Sequence, residues 1–115
     1  MLKFRQYNFR GEFMLGLGIW EVPVNSMFYK GTAKITVRDD GGKYGFDFEA
    51  TGMNVPEIDV LSARAEGQTL YAEATSTMLK GKTITAEITF SGDECTGVVK
   101  GPFGVKISIN GKRIG

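Results

Sequence analysis

The sequence predicts an all-β fold: an antiparallel up-and-down meander of eight to ten strands, closed or nearly closed into a barrel. A two-sheet β-sandwich is the alternative, because strand spacing alone does not separate the two. Three observations carry this expectation. Apolar and polar residues alternate in short runs, and successive side chains of a strand face opposite sides. A turn signal follows each run about every 8–12 residues. No stretch keeps an apolar period of 3.6 over eleven or so residues, as an amphipathic helix would.

Taken in order, residues 2–9 read as a first strand or an ordered arm. Residues 12–22 read as a strand with Phe13, Leu15, Leu17 and Ile19 on one face and Met14, Gly16, Gly18 and Trp20 on the other. Both faces are apolar, so this strand is expected to be covered on both sides or strongly bent. Residues 23–31 lack alternation and are expected to form a loop or a short helical turn, with Met27, Phe28 and Tyr29 capping one end of the sheet. Residues 32–38 form a strand with Ala33, Ile35 and Val37 inward. Asp39-Asp40-Gly41-Gly42 is a hairpin turn, since acidic and glycine residues tolerate the positive φ of tight turns. Residues 43–50 return with Tyr44, Phe46, Phe48 and Ala50 inward.

A loop containing Pro56 follows, because proline donates no ladder hydrogen bond. Residues 58–65 and 68–75 form a hairpin around Glu66-Gly67, with Leu61, Ala63 and Ala65 inward on one arm and Leu70, Ala72 and Ala74 on the other. Residues 82–90 are the clearest alternation: Ile84, Ala86, Ile88 and Phe90 against Thr83, Thr85, Glu87 and Thr89. Residues 94–100 and 104–109 are two more strands, the second aligning Val105, Ile107 and Ile109. Asn110-Gly111 reads as a two-residue hairpin leading to a short last strand, residues 112–114. Turns of two to four residues impose sequential antiparallel pairing, and closing the resulting twisted meander removes exposed edges.

A length of 115 residues, 42% apolar and 23% charged, fits a single globular domain spanning residues 1–115. A chain of this size buries roughly 65% of its unfolded surface. The net charge of +1 attracts neither nucleic acid nor an anionic membrane, so neither is expected as a partner. One cysteine, Cys95, allows no intrachain disulfide and no thiolate metal cluster, and the cytoplasm is the simplest compartment, with export left open. There is no histidine, which removes the commonest general base and the commonest metal ligand. The apolar stretch Phe13 to Ile19 is too short to span a bilayer. Glu12 abuts it and no small-residue cleavage site follows, so it reads as a strand rather than a signal peptide.

Gly18-Ile19-Trp20 resembles the Gly-x-Trp element on an early strand of the lipocalins, members of the calycin group of β-barrels with the fatty-acid-binding proteins and avidins. The resemblance implies that Trp20 plugs the closed end of the barrel. It also implies that a late basic residue, here Arg113, packs across the indole as a cation–π pair.

No catalytic residue, metal site or cofactor follows from the sequence. The pairs Asp47/Glu49 and Glu57/Asp59 share a strand face at i, i+2 spacing, but the first lies opposite the aromatic face and is read as pointing to water. Cys95 has no histidine to activate it and is read as structural. The aromatic series Tyr44, Phe46 and Phe48 lacks the basic surround of a nucleic-acid platform. What the pattern does offer is an uneven interior, with alanines on one wall and rings on another. That interior either packs solid or leaves a cavity for one small apolar molecule, lined by Ile35, Tyr44, Phe46, Phe48, Ala72, Ile88 and Phe90. A self-associating structural protein, with a threonine-rich outer face pairing to a copy of itself as a homo-oligomer, is the alternative. An enzyme without histidine ranks third.

Overall fold

A computed structural model describes residues 14–25, 30–52, 57–76 and 80–115. The chain forms eight antiparallel strands: β1 (Gly18–Asn25), β2 (Lys30–Asp40), β3 (Lys43–Ala50), β4 (Ile58–Glu66), β5 (Thr69–Ser76), β6 (Thr83–Ser91), β7 (Glu94–Lys100) and β8 (Lys106–Arg113). They make one sheet in the order β3-β2-β1-β8-β7-β6-β5-β4. The first and last strands therefore pair, Trp20 with Arg113 and Glu21 with Lys112. The sheet curls into a nearly closed barrel whose unsealed seam lies between the consecutive strands β3 and β4, which share no ladder.

The up-and-down course gives the barrel two ends. One, the floor, gathers the start of β1, the β2–β3, β4–β5 and β6–β7 turns and the end of β8. The other, the mouth, gathers the remaining connections. Hairpin turns form at Asp39–Gly42, Glu66–Gln68 and Ser91–Asp93 where acidic and glycine residues predicted them. In the first, the Asp39 carboxylate accepts a hydrogen bond from the Gly42 backbone N–H at 2.6 Å.

Five local expectations need correction. The strand expected over residues 12–22 begins only at Gly18 and runs on to Asn25. Leu15 and Leu17 precede it in a turn and are buried beneath the floor. The loop expected from Pro23 is likewise strand as far as Asn25. Pro23 pairs with Thr32, beyond the two residues over which β1 ladders with β8, where a missing donor costs nothing on that side. The cap assigned to Met27, Phe28 and Tyr29, and the first strand or arm at residues 2–9, lie outside the described residues.

The Asn110-Gly111 hairpin does not form. Both residues continue β8, Asn110 opposite Thr96 and Gly111 opposite Cys95. A Cβ at Gly111 would lie 2.8 Å from Val22 Cγ2 and 3.0 Å from Cys95 Sγ, so this glycine serves close packing between strands rather than a turn. In place of a strand from residue 104, Pro102–Gly104 forms a 3-10 turn and β8 starts at Lys106.

Finally, Leu61 is not inward but 55% exposed. A β-bulge between Val60 and Ser62 inserts one residue opposite β5, and the facing parity inverts there. Ile58 and Val60 point inward before the bulge, and Ala63 pairs with Ala72 after it, while Ala65 is exposed.

Candidate functional site: the barrel interior

The floor is built around Trp20, 2% exposed. Its indole N–H donates to the Gly16 carbonyl at 2.8 Å, and its ring meets Phe90 at 4.8 Å between centroids in a tilted pair. Arg113, directly across the ladder, lays its guanidinium carbon 4.4 Å from the centre of the indole. The same guanidinium donates to the Leu17 carbonyl and, through Nε, to Asp93 at 3.1 Å. Gly18 makes this possible. It holds φ at +133°, and a Cβ there would land on the Arg113 guanidinium. The Gly-x-Trp spacing thus has a mechanical meaning in this chain: glycine clears the space into which the arginine reaches over the indole.

Above the floor the interior is not filled. It holds a cavity of about 150 Å³. One wall carries Ile35 and Val37 of β2 with Phe46 and Phe48 of β3. Phe46 stacks against Phe48 at 6.3 Å and against Tyr44 at 5.9 Å. The opposite wall carries Ala72 and Ala74 of β5 and Ala86 of β6, Ala72 and Ala86 lying side by side in the ladder. Ile88 and Phe90 continue β6 toward the floor. The rings of one wall do not reach into the space that the alanines of the other leave, because they stack along their own strand.

Six of the seven interior residues read from the alternation line this cavity: Ile35, Phe46, Phe48, Ala72, Ile88 and Phe90. Tyr44 does not. It packs against the core cluster at the floor, and its hydroxyl donates to the Leu15 carbonyl at 2.8 Å. Burial pushes its phenol above the ordinary range. The alternation also contained Val99 and Ile109, whose inward parity follows from Val105, Ile107 and Ile109 and from the β7 register. Ile58 and Val60 were hidden by the bulge, which leaves no signature in a run of alternating residues.

Among the described residues no charged side chain lines the cavity, and its sulfur, Cys95 Sγ, belongs to a buried thiol. Burial raises the thiol pKa, a shift partly offset by the Gly111 backbone and the Arg113 charge. The carboxylates singled out by their spacing are outside. Asp47 is paired with Arg38 at 2.6 Å and Glu49 with Lys34 at 3.9 Å, while Glu57 and Asp59 are exposed. Among the described residues no three His, Cys, Asp or Glu side chains gather as metal ligands would, and no helix is long and apolar enough to cross a membrane.

Chemically, a pocket of this size with an apolar wall suits a benzene-sized apolar solute, since a polar guest would forfeit hydrogen bonds there. Set against protein-family models, curated proteins and solved structures, the chain matches none of them.

Proposed function

We propose that this protein is a non-enzymatic binder of one small apolar molecule, held inside a calycin-like barrel. The observation that carries this reading is the cavity of about 150 Å³ lined, among the described residues, by apolar side chains and the Cys95 thiol. A packed protein interior leaves few voids larger than a water molecule. Keeping this one costs stability, which binding an apolar guest would restore. With no polar group to satisfy a buried hydroxyl or carboxylate, the site selects for a ring or short hydrocarbon and against any guest that must bury a hydrogen-bonding group. The β3–β4 seam, bordered by Phe46 and Phe48 on one side and Ile58 and Val60 on the other, is the route of entry. The floor, sealed by Trp20 and Arg113, is the closed end.

Titration with benzene or xenon, followed by NMR shifts of the cavity methyl groups, tests this reading. Saturable shifts confined to residues such as Ile35, Ile88 and Ile109 are expected, and they are expected to vanish in Ala86→Leu. A folded protein whose cavity methyls do not respond to either probe would overturn it. Native mass spectrometry of protein purified from its own source then identifies the natural guest.

The seam also favours a second reading. Among the described residues the seam edges of β3 and β4 have no ladder partner, and Leu61 stands exposed at the β4 bulge. Free edges template pairing with another chain. On this reading two copies join edge to edge in a homo-oligomer. Light scattering after size exclusion separates the two: a strict monomer at high concentration sinks the self-association reading and leaves the binding reading intact.

A further inference from the structure

The two ends of the barrel differ in their cations: the floor holds three arginines beside Lys43 and Lys112, whereas the mouth holds only lysines among the described residues. The arginines of the described residues, Arg38, Arg64 and Arg113, lie toward the floor, and each is held by carboxylates: Asp40 and Asp47, Glu66, and Asp93. The mouth carries lysines: Lys30 at the start of β2, Lys80 and Lys82 before β6, Lys100 at the end of β7 and Lys106 at the start of β8. All five are exposed, and none is ion-paired with a carboxylate of the described residues. Acidic residues at that end are Glu49, paired with Lys34, and Glu57 and Asp59 on the β4 side. The net charge of +1 hides this sorting, because carboxylates elsewhere on the surface cancel the lysines in the total.

Lys100 and Lys106 flank the turn that carries one exposed aromatic ring, and Lys82 lies against that ring. Phe103 stands at the tip of the β7–β8 turn, 89% exposed. The turn is pinned beneath it, with the Gly101 N–H donating to the Val105 carbonyl at 2.8 Å and the Val105 N–H to the Pro102 carbonyl at 3.3 Å. Phe103 itself adopts φ 61° and ψ 30°, a left-handed conformation uncommon for a bulky residue. Lys82 Nζ lies 5.1 Å from the centre of its ring. Lys100 and Lys106 stand directly opposite each other in the ladder, a like-charge pair that destabilises a sheet. The exposed contact with Lys82 contributes little against the left-handed backbone of a bulky residue and a like-charge pair below it.

We propose that this end of the barrel docks on an anionic lipid bilayer. Phe103 enters the boundary between headgroups and acyl chains, and Lys82, Lys100 and Lys106 sit over acidic headgroups. The chemistry matches on both counts: the ring leaves water, and lysines close to an anionic leaflet gain electrostatic attraction. One weak apolar anchor combined with a basic patch is what reversible attachment requires. The lysines are spread around the rim on β2, β6, β7 and β8, and a ring of that kind suits a planar surface better than an extended acidic peptide, which would engage one side. Docking does not depend on the cavity being occupied, although it turns Ile58 and Ile84, cavity residues at this end, toward the lipid.

Flotation with vesicles tests the proposal. Vesicles of phosphatidylcholine containing about one-third phosphatidylserine are expected to carry the protein at low salt, and pure phosphatidylcholine vesicles are not. Raising salt past physiological strength is expected to release it. Replacing Lys82, Lys100 and Lys106 together by Gln should weaken binding about a hundredfold, and Phe103→Ala about tenfold. These positions are exposed, so unchanged thermal unfolding is expected and keeps the comparison clean. In Phe103→Trp, indole fluorescence should shift to the blue with the anionic vesicles alone, against the constant signal of buried Trp20. Equal flotation on both vesicles, binding that survives the triple replacement, or no spectral shift would each overturn the proposal. So would a dimer abolished by Phe103→Ala in a protein that ignores vesicles, which would assign the ring to a second copy.

Discussion

At the floor of the barrel, β1 and β8 are joined over only two residue pairs, yet directional contacts concentrate there: the Arg113 guanidinium lies over the Trp20 indole and donates to the Leu17 carbonyl and to Asp93, and the indole donates to Gly16. At the seam, β3 and β4 share no backbone ladder, and what borders the gap is apolar: Phe46 and Phe48 facing Ile58 and Val60. The contrast separates two ways of closing a sheet. Directional polar contacts fix one geometry and tolerate little change. Apolar side chains bordering an unladdered gap are held by non-directional attraction alone. Directional contacts are concentrated at one end of the barrel, and the side between β3 and β4 has no ladder.

The largest loss of stability is expected at the floor. Trp20→Ala removes the plug, its hydrogen bond and the platform for Arg113, and should cost about 3–5 kcal/mol in urea unfolding. A protein that loses less than about 1 kcal/mol would show that the floor does not hold the barrel shut. Gly18→Ala comes next, at about 2–3 kcal/mol, from a positive φ and a Cβ that evicts the guanidinium. Pairing it with Arg113→Ala sharpens the assignment. If the clash is with the arginine, the second substitution should recover part of the loss.

At the seam and wall the expected effects are smaller, and one changes sign. Phe48→Ala should cost about 1–2 kcal/mol, because the ring is only half-buried, and should speed the uptake of an apolar probe. Ala86→Leu should stabilise by about 0.5–2 kcal/mol while abolishing that uptake, because it fills space that is empty. A destabilised Ala86→Leu would mean that the wall is already packed.

Much of this architecture was legible as alternation. β3 and β7 begin and end where the pattern did, and six of the seven interior residues read from it line the cavity. The misreadings share a cause. Glycine has several uses, and a sequence does not say which applies. Gly111 looked like half of a turn and instead admits the Val22 and Cys95 side chains. Gly16 and Gly18 looked like strand interior and instead end a turn and clear room for Arg113. The bulge at Leu61 was invisible because it depends on register with β5, a property of two strands together. Whether rings and alanines fill each other's space was undecidable for the same reason. It depends on where the rings point, and here they stack along β3.

The smallest expected effect is on the pH dependence of stability, and it tests the floor from within. Burial raises the Tyr44 phenol and the Cys95 thiol above their ordinary values of 10.0 and 9.0. Both groups are neutral when protonated, so between its ordinary and its raised pKa each stays protonated in the folded chain while the unfolded chain releases its proton. The unfolded state then binds fewer protons, and stability falls as pH rises. The contribution is whole below about pH 9 and declines first as the unfolded thiol ionises, then further as the unfolded phenol does. Urea midpoints should therefore be level through neutral pH and drop on the alkaline side. Cys95→Ser and Tyr44→Phe should each flatten part of that drop, even though Tyr44→Phe itself loses about 1 kcal/mol with the bond to Leu15. Cys95 should also resist an aromatic disulfide reagent at pH 9 until the barrel is unfolded. Ready labelling of the folded protein would place the thiol in contact with water and reopen the question of what seals the lower cavity.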